Sequence, residues 1–421
     1  MTCRNVLGIA ISVMLVTGHA SAQVQYSVTH LGSLGGYGTA TDGSGQAINS
    51  FARGINAAGQ IVGYADTSGG SQHAFIYSNS TMTDLGTLGS GVNSYAQGIN
   101  ASGQIVGYAD TSSGSQHAFI YNHGALTDLG TFPGSTQSYA FAINAAGQIV
   151  GQASTNGVYE PFLYSNGAMI NLGNLPGGTG GSAYGINDSG QIVGVTYGGP
   201  IAIPGAILTR ASLQAVATPD SSGIAADHAF MYSQGTMTDL GILPGAGTYA
   251  ETWAFAINAG GQIVGQATPP GSAVLYAAFL YGNGAMANLG SLGGLTASAN
   301  GINNKLQAVG TFNTHPPYTH GFLYDNGTMC DLNSLLAPGS GWTITSAEAI
   351  NDNGWIAANG FNPTVDHGFG EALLLIPAPE PATIGILGLG VAGLLLLRIG
   401  PRPPSWRATC RAGRAPLGMF A

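Results

Sequence analysis

The sequence repeats itself, and the repeat limits the fold more than any other feature. Its central motif is Ile-Asn-x-x-Gly followed by a short apolar run, first seen from Ile55-Asn56 through Gly59 to Ile61-Val62-Gly63. The motif returns from Ile99, Ile143, Ile186 and Ile257, with degenerate copies from Ile302 and Ile350. Successive asparagines stand 44, 44, 43, 71, 45 and 48 residues apart. A second motif runs into Phe-Ile/Leu/Met-Tyr, ending at Tyr77, Tyr121, Tyr164, Tyr232, Tyr281 and Tyr324. A third, Asp-Leu-Gly, begins at Asp84, Asp128 and Asp239, with Asn171 and Asn288 standing in elsewhere.

Each unit predicts four short strands. Phe-Ile-Tyr runs into Asn-Gly or a similar pair, as at Asn166-Gly167 and Asn326-Gly327, a strong signal for a tight hairpin. Asn-x-x-Gly has the Asn-first, Gly-last order of a type I turn. No apolar pattern of helical period interrupts the unit. Four antiparallel strands in about 44 residues is the size of a propeller blade. The ends sharpen the count. Tyr26–Gly32 occupies the Asp-Leu-Gly position with no Phe-Ile-Tyr strand before it, and His367–Leu375 supplies that missing strand. Joining them predicts an all-β, seven-bladed β-propeller whose last blade is shared between the termini. A closed ring gains by losing its edge strands. A β-solenoid, the alternative, needs no such exchange.

Hydrophobic residues make up 44% of the 421, enough for a core, but only 6% are charged. Ser, Thr, Asn, Gln and Gly must therefore cover the surface. The charges are segregated. All 18 acidic residues lie between Asp42 and Glu380, where only Arg53, Arg210 and Lys305 oppose them, a net −15. Such a body repels phosphate backbones and argues against nucleic acid as a partner.

The two ends read as signals. Arg4, the apolar run Val6–Val16 and Ala20-Ser21-Ala22 have the pattern of a secretory signal peptide over 1–22. The repeat domain then spans 23–376. Behind it, Pro377 to Pro381 leads into an apolar stretch, Ala382–Leu397, predicted as a transmembrane helix within 377–400 and extended by snorkelling of Arg398. Arg402, Arg407, Arg411 and Arg414 place the basic tail, 401–421, on the cytoplasmic side.

Pro379-Glu380-Pro381-Ala382, the short apolar helix and the basic end resemble the PEP-CTERM sorting signal of Gram-negative bacteria. The resemblance implies processing by an exosortase and delivery to the cell surface or matrix, often alongside exopolysaccharide. In that family the chain stops soon after its arginines, whereas here it continues to Ala421. The repeats also resemble the HAF-repeat family of bacterial extracellular proteins, through the His-Ala-Phe at His73, His117 and His228. That resemblance implies an extracellular all-β protein and brings no established activity.

Catalytic signatures are weak. A catalytic group is needed once, whereas the His of His-Ala-Phe and the Asp of Asp-Leu-Gly recur, which points to strand pinning. Asn351-Asp352-Asn353-Gly354 hints at a calcium loop but lacks the later bidentate Glu. No nucleophile elbow, clustered metal spacing or phosphate loop is present, and no cofactor or metal site is expected. Cys3, Cys330 and Cys410 are scattered, and Cys330 is expected to be a buried small hydrophobe.

Departures from the repeat carry the candidate sites. An insertion over roughly Tyr197 to Ala226 contains Arg210. Trp253, beside Glu251, and Trp342 fall between an Asp-Leu-Gly strand and an Ile-Asn strand, so both are expected in exposed loops on one face of the ring. Aromatic platforms beside carboxylates suit sugar stacking. The sequence thus points to an exported, non-enzymatic surface or matrix protein, associated with exopolysaccharide or biofilm. A glycan-binding lectin and, behind it, a glycan-cleaving propeller are the alternatives.

Overall fold

Why the repeats must close on one another is visible at the Ile-Asn turn. A computed structural model describes residues 24–36, 40–41, 47–198, 226–247, 250–271, 274–315, 318–365 and 369–378. Residues 1–22, expected as a signal peptide, most of the insertion expected over Tyr197 to Ala226 (199 to 225), and Pro379, Glu380 and Pro381 with everything behind them lie outside these residues. Among the described residues, seven four-stranded antiparallel sheets form the architecture. Blade 1 is built from Ser50–Ile55, Ile61–Asp66, Gln72–Ser78 and Thr81–Asp84, ordered from the axis outward. The inner strands of blades 2 to 7 are Ser94–Ile99, Gln137–Ile143, Gly180–Ile186, Thr252–Ile257, Ala297–Ile302 and Thr343–Ile350. Each inner strand lies against the next around the ring, and that of blade 7 returns to that of blade 1.

Blade 7 closes as expected from the two ends. Tyr26–His30 is its outermost strand and pairs with Glu371–Pro377, in register from Tyr26 opposite Pro377 to His30 opposite Leu373. Tyr26 is fully buried. The solenoid is thereby excluded, because the chain's first and last strands share one sheet.

The asparagine of each turn has two roles. In blade 2, Asn100 Oδ1 accepts from the backbone N of Ser102 and Gln104 at 3.1 and 3.0 Å, which forms the turn. Its Nδ2 then donates to the carbonyl of Asn144 in the next blade at 3.1 Å. The same bond runs from Asn56 to Asn100, Asn144 to Asn187, Asn187 to Asn258, Asn258 to Asn303, Asn303 to Asn351 and Asn351 to Asn56. Seven buried side chains therefore make a closed circle of hydrogen bonds, and this puts every Asn turn at one end of the ring. That end, which also carries the hairpins between third and outer strands, is the turn end. The opposite end is the loop end.

Between the ends the core is packed by a complementary pair. Phe75, Phe119, Phe162, Phe230, Phe279 and Phe322 on the third strands are fully buried, each contributing about 2–3 kcal/mol of apolar burial. Each lies opposite a second-strand glycine, as Phe162 opposite Gly151. A Cβ on Gly151 would come within 1.9 Å of the Tyr139 carbonyl and 2.9 Å of the Phe162 ring. In blade 7 the pair becomes Ala358 and Leu373, a larger residue beside a smaller one. Cys330, expected to be buried, is half-buried against the hydrophobic core between blades 6 and 7.

Candidate functional site

The position two residues before each Ile-Asn varies from blade to blade. It reads Arg53, Gln97, Phe141, Tyr184, Phe255, Asn300 and Glu348. In every blade the pairing of inner and second strand slips there by one residue, a bulge that aims this side chain away from the ladder. The position two earlier holds Phe51, Tyr95, Tyr139, Ser182, Trp253, Ser298 and Ser346. Together the two sets clothe the axis, and they are not symmetric.

Blades 1 to 3 contribute a continuous run of rings. Phe51 stacks on Tyr64 at 5.6 Å, and Tyr64, Tyr95, Tyr108 and Tyr139 follow at centroid spacings of 5.1, 5.0 and 4.9 Å. Burial raises the phenols of Tyr95, Tyr108 and Tyr139 well above their ordinary value. Blades 6 and 7 contribute Ser298, Asn300, Asn359 and Glu348 instead, all buried. Where the two arcs meet, Arg53 reaches Glu348 at 3.5 Å and lies over the Phe51 ring at 4.5 Å. Burial opposes the Arg53 charge, but Tyr64, Glu348 and Tyr108 outweigh it and hold the guanidinium protonated. Sequence reasoning passed over Arg53 and Glu348 as functional residues. The signal was available, since both sit at a place that varies from blade to blade just before the recurring Ile-Asn.

A second cluster lies at the loop end, where blade 4 meets blade 5. The backbone N of Thr252 bonds to the Asp227 carbonyl at 2.9 Å, bringing Glu251 beside Asp227. The Tyr276 hydroxyl donates to the Glu251 carboxylate. Burial pushes the Asp227 carboxyl up to about 6, and Glu251 adds to this against a hydrogen bond from the Gly198 N–H. Burial, then Glu251, raises the Tyr276 phenol. Asp227 is therefore a carboxyl able to hold a proton near neutrality, next to one that accepts from a phenol.

Trp253 departs from expectation. It is part of an inner strand and only 8% exposed, with Tyr197 and Phe255 at ring distances of 5.9 and 6.4 Å. A strand residue two places before the bulge is covered by the neighbouring blade, so no flat face is open to a sugar. Trp342 does lie in a loop, half-buried, stacked on His30 at 6.1 Å and packed on the core between blades 6 and 7. The two tryptophans belong to different blades and are not brought together.

The recurring His and Asp meet at blade edges. His73–Asp84, His117–Asp128, His228–Asp239 and His320–Asp331 each pair at 2.8 Å, joining third to outer strand. Asp84, Asp128 and Asp239 also accept from a backbone N–H two residues on. In the closing blade the pair is reversed: Glu371 holds the His place and His30 the Asp place, 3.4 Å apart. Asn351–Gly354 is the Asn turn of blade 7, with Asp352 bonded to Asn304 at 2.8 Å. Among the described residues no group of three or more His, Cys, Asp or Glu gathers to hold a metal.

Residues 377–399 match the model of the PEP-CTERM protein-sorting motif. The motif implies recognition by an exosortase, export, and sorting to the bacterial cell surface. No curated protein matches the chain. Among solved structures, the fold is similar to a puromycin-hydrolysing peptidase from Mycobacterium tuberculosis, with TM-score 0.51 and 11% identity over 85% of this chain and 54% of that one. TolB from Acinetobacter baumannii gives 0.38 and 10%, over 66% of this chain and 64% of that one. A gluconolactonase from Xanthomonas campestris gives 0.38 and 11%, over 85% and 95%. The chain thus spans less than two thirds of the TolB and peptidase chains, and at these identities the likeness is one of fold. Among the described residues no helix is long and apolar enough to cross a membrane, and Ala382–Leu397 lies outside them.

Proposed function

We propose that this is a non-enzymatic component of the bacterial surface or matrix, delivered there to associate with exopolysaccharide. The observation that carries the reading is the sorting motif, which begins at Pro377, the last residue of the closing strand. In this reading residues 1–22 direct export, Ala382–Leu397 holds the chain in the membrane with 401–421 on the cytoplasmic side, and an exosortase acts around Pro379-Glu380-Pro381. The His-Ala-Phe repeats add kinship with extracellular HAF-repeat proteins. What supports a non-enzymatic role is that each His–Asp pair recurs at one blade position and joins two strands. A surface almost without charge, carried on a closed ring, also suits a hydrated polysaccharide layer.

A lectin is the second reading. Its support moves from Trp253 to the blade 4–5 corner, where Glu251, Asp227 and Tyr276 offer hydroxyl-recognising groups beside one another, and to the half-buried Trp342. The test has two parts. In the producing cell, Pro379→Ala with Glu380→Ala and Pro381→Ala is expected to leave the protein unprocessed and off the surface; unchanged surface display would sink the sorting role. In gels containing the host's exopolysaccharide, retarded migration supports association. Loss of retardation in Glu251→Gln or Trp342→Ala supports the lectin, and unretarded wild-type migration refutes both.

A further inference from the structure

We propose that two copies of this chain pair through the outer edge of blade 5, strand against strand about a two-fold axis.

Three observations carry it. The first is the edge itself. Blade 5 comprises Thr252–Ile257, Ile263–Ala267, Ala277–Gly282 and Ala285–Gly290, the last outermost. That outer strand runs six residues, where those of blades 1, 2, 3, 4 and 6 run four. An outer strand offers one row of backbone N–H and C=O groups to another chain, and proteins blunt such edges by keeping them short and charged. Here Ala285, Ala287 and Asn288 are exposed along it.

The second is charge. From Thr252 to Asn304 the sequence holds no Asp, Glu, Lys, Arg or His. Ala277 stands in the His place of the blade and Asn288 in the Asp place, so this edge lacks the His–Asp pair of blades 1, 2, 4 and 6. Blade 3 keeps Glu160, and blade 7 keeps Glu371 and His30. Copies of one chain bring identical charges to each other, so two of them meet edge to edge without repulsion where the edge has no charge. A charged partner finds nothing to pair with there.

The third is an apolar patch that continues the edge at the loop end. Ile99 stands 15 residues after Asp84 and Ile143 15 after Asp128, but Ile302 stands 14 after Asn288. In blades 1 to 4 the fourth residue of this connection, Leu88, Phe132, Leu175 or Leu243, is buried. In the shortened connection its counterpart Leu292 enters a tight turn closed by Gly294 N on Ser291 O, with φ at +51°. A bulky side chain rarely adopts that left-handed conformation, and such strain collects at functional places. Leu292 is thereby turned outward. Leu275 N bonds to Leu295 O at 2.8 Å beside it, and the three leucines are 41–47% exposed. A strand paired with its own copy about a two-fold axis is antiparallel, and the same patch then serves both partners.

The test uses the full chain in a non-ionic detergent. Light scattering corrected for detergent is expected to give twice the chain mass for the wild type and a single chain mass for Ala287→Asp and Leu292→Asn. Asparagine tolerates the left-handed turn, so Leu292→Asn removes the apolar side chain without disturbing the backbone. In a chain with Cys3, Cys330 and Cys410 changed to Ser, oxidation is expected to link Ala287→Cys into covalent dimers. Thr127→Cys, at the same place in the outer strand of blade 2, should link little. A wild type that stays at single mass at every concentration overturns the pairing. So does a dimer that survives both substitutions, or equal cross-linking at the two cysteines. Unchanged far-ultraviolet dichroism in each variant establishes that the ring is intact.

Discussion

Changing Asn100 to Asp separates the two roles of the ring asparagines. As a turn former, Asp serves nearly as well as Asn at this position. It keeps the acceptor that receives Ser102 and Gln104 N–H. The seam between blades reads differently. Asn100 Nδ2 donates to the Asn144 carbonyl at 3.1 Å and to Gln104 Oε1 at 2.7 Å, at a side chain 5% exposed. Asn100→Asp replaces both donations with a carboxylate facing two acceptor oxygens. Gln104 can turn its amide and recover one contact; the Asn144 carbonyl cannot move. One or two lost bonds at about 1 kcal/mol each give a cost of about 1–2 kcal/mol, since the Asn144 carbonyl keeps the Gly147 N–H at 3.0 Å. The assay is urea unfolding of residues 23–378, which form one compact unit, followed by dichroism and by fluorescence so that coincident transitions establish a single step. The new carboxyl should titrate high, since its protonated form can donate to Asn144. The variant's stability is then fullest at acid pH and falls as pH rises through that raised value. A variant within about 0.5 kcal/mol of wild type, flat with pH, would show that the asparagines only form turns.

Three other outcomes are expected. Gly107→Ala places a Cβ 1.9 Å from the Tyr95 carbonyl and should cost about 3 kcal/mol or more, read as loss of soluble protein. Deleting residues 23–30 uncovers the Glu371–Pro377 strand, and light scattering should then show concentration-dependent oligomers. Around His228, stability should fall as pH rises. The Asp239 hydrogen bond raises the His228 value, so that contribution is complete below the unfolded value of about 6.5 and lost as pH passes the folded one. Burial raises Asp227 from 3.8 to about 6, so folding favours its protonated form and is weakened as pH climbs through that window. Asp227→Asn should accordingly stabilise the protein at pH 8 and flatten this part of the pH dependence of the melting temperature.

Much of the fold was legible because hydrogen bonding within a blade is local. The Asn-Gly hairpins needed no tertiary information: Asn166 and Gly167 adopt φ of +53° and +82°, the left-handed pair such a turn demands. The candidate site was less legible. Trp253 read as a loop residue although it belongs to the inner strand Thr252–Ile257, and it is buried in a cluster with Tyr184, Val195, Tyr197 and Phe255 that chain order does not show. Asp227 and Glu251 are 24 residues apart in sequence and meet only because one blade's third strand starts beside the next blade's inner strand.

The sequence alone determined the number of blades, the strand that closes the last one, the sorting motif and the segregation of charge. These follow from a period and from order along the chain. Only the tertiary structure decided that seven turn asparagines form one circle and that the His–Asp pair is reversed where the termini meet. It also decided that Arg53 and Glu348, 295 residues apart, share a buried contact. The physical reason is closure. A repeat fixes what each unit does, but which variable side chains become neighbours depends on the ring that joins its first unit to its last.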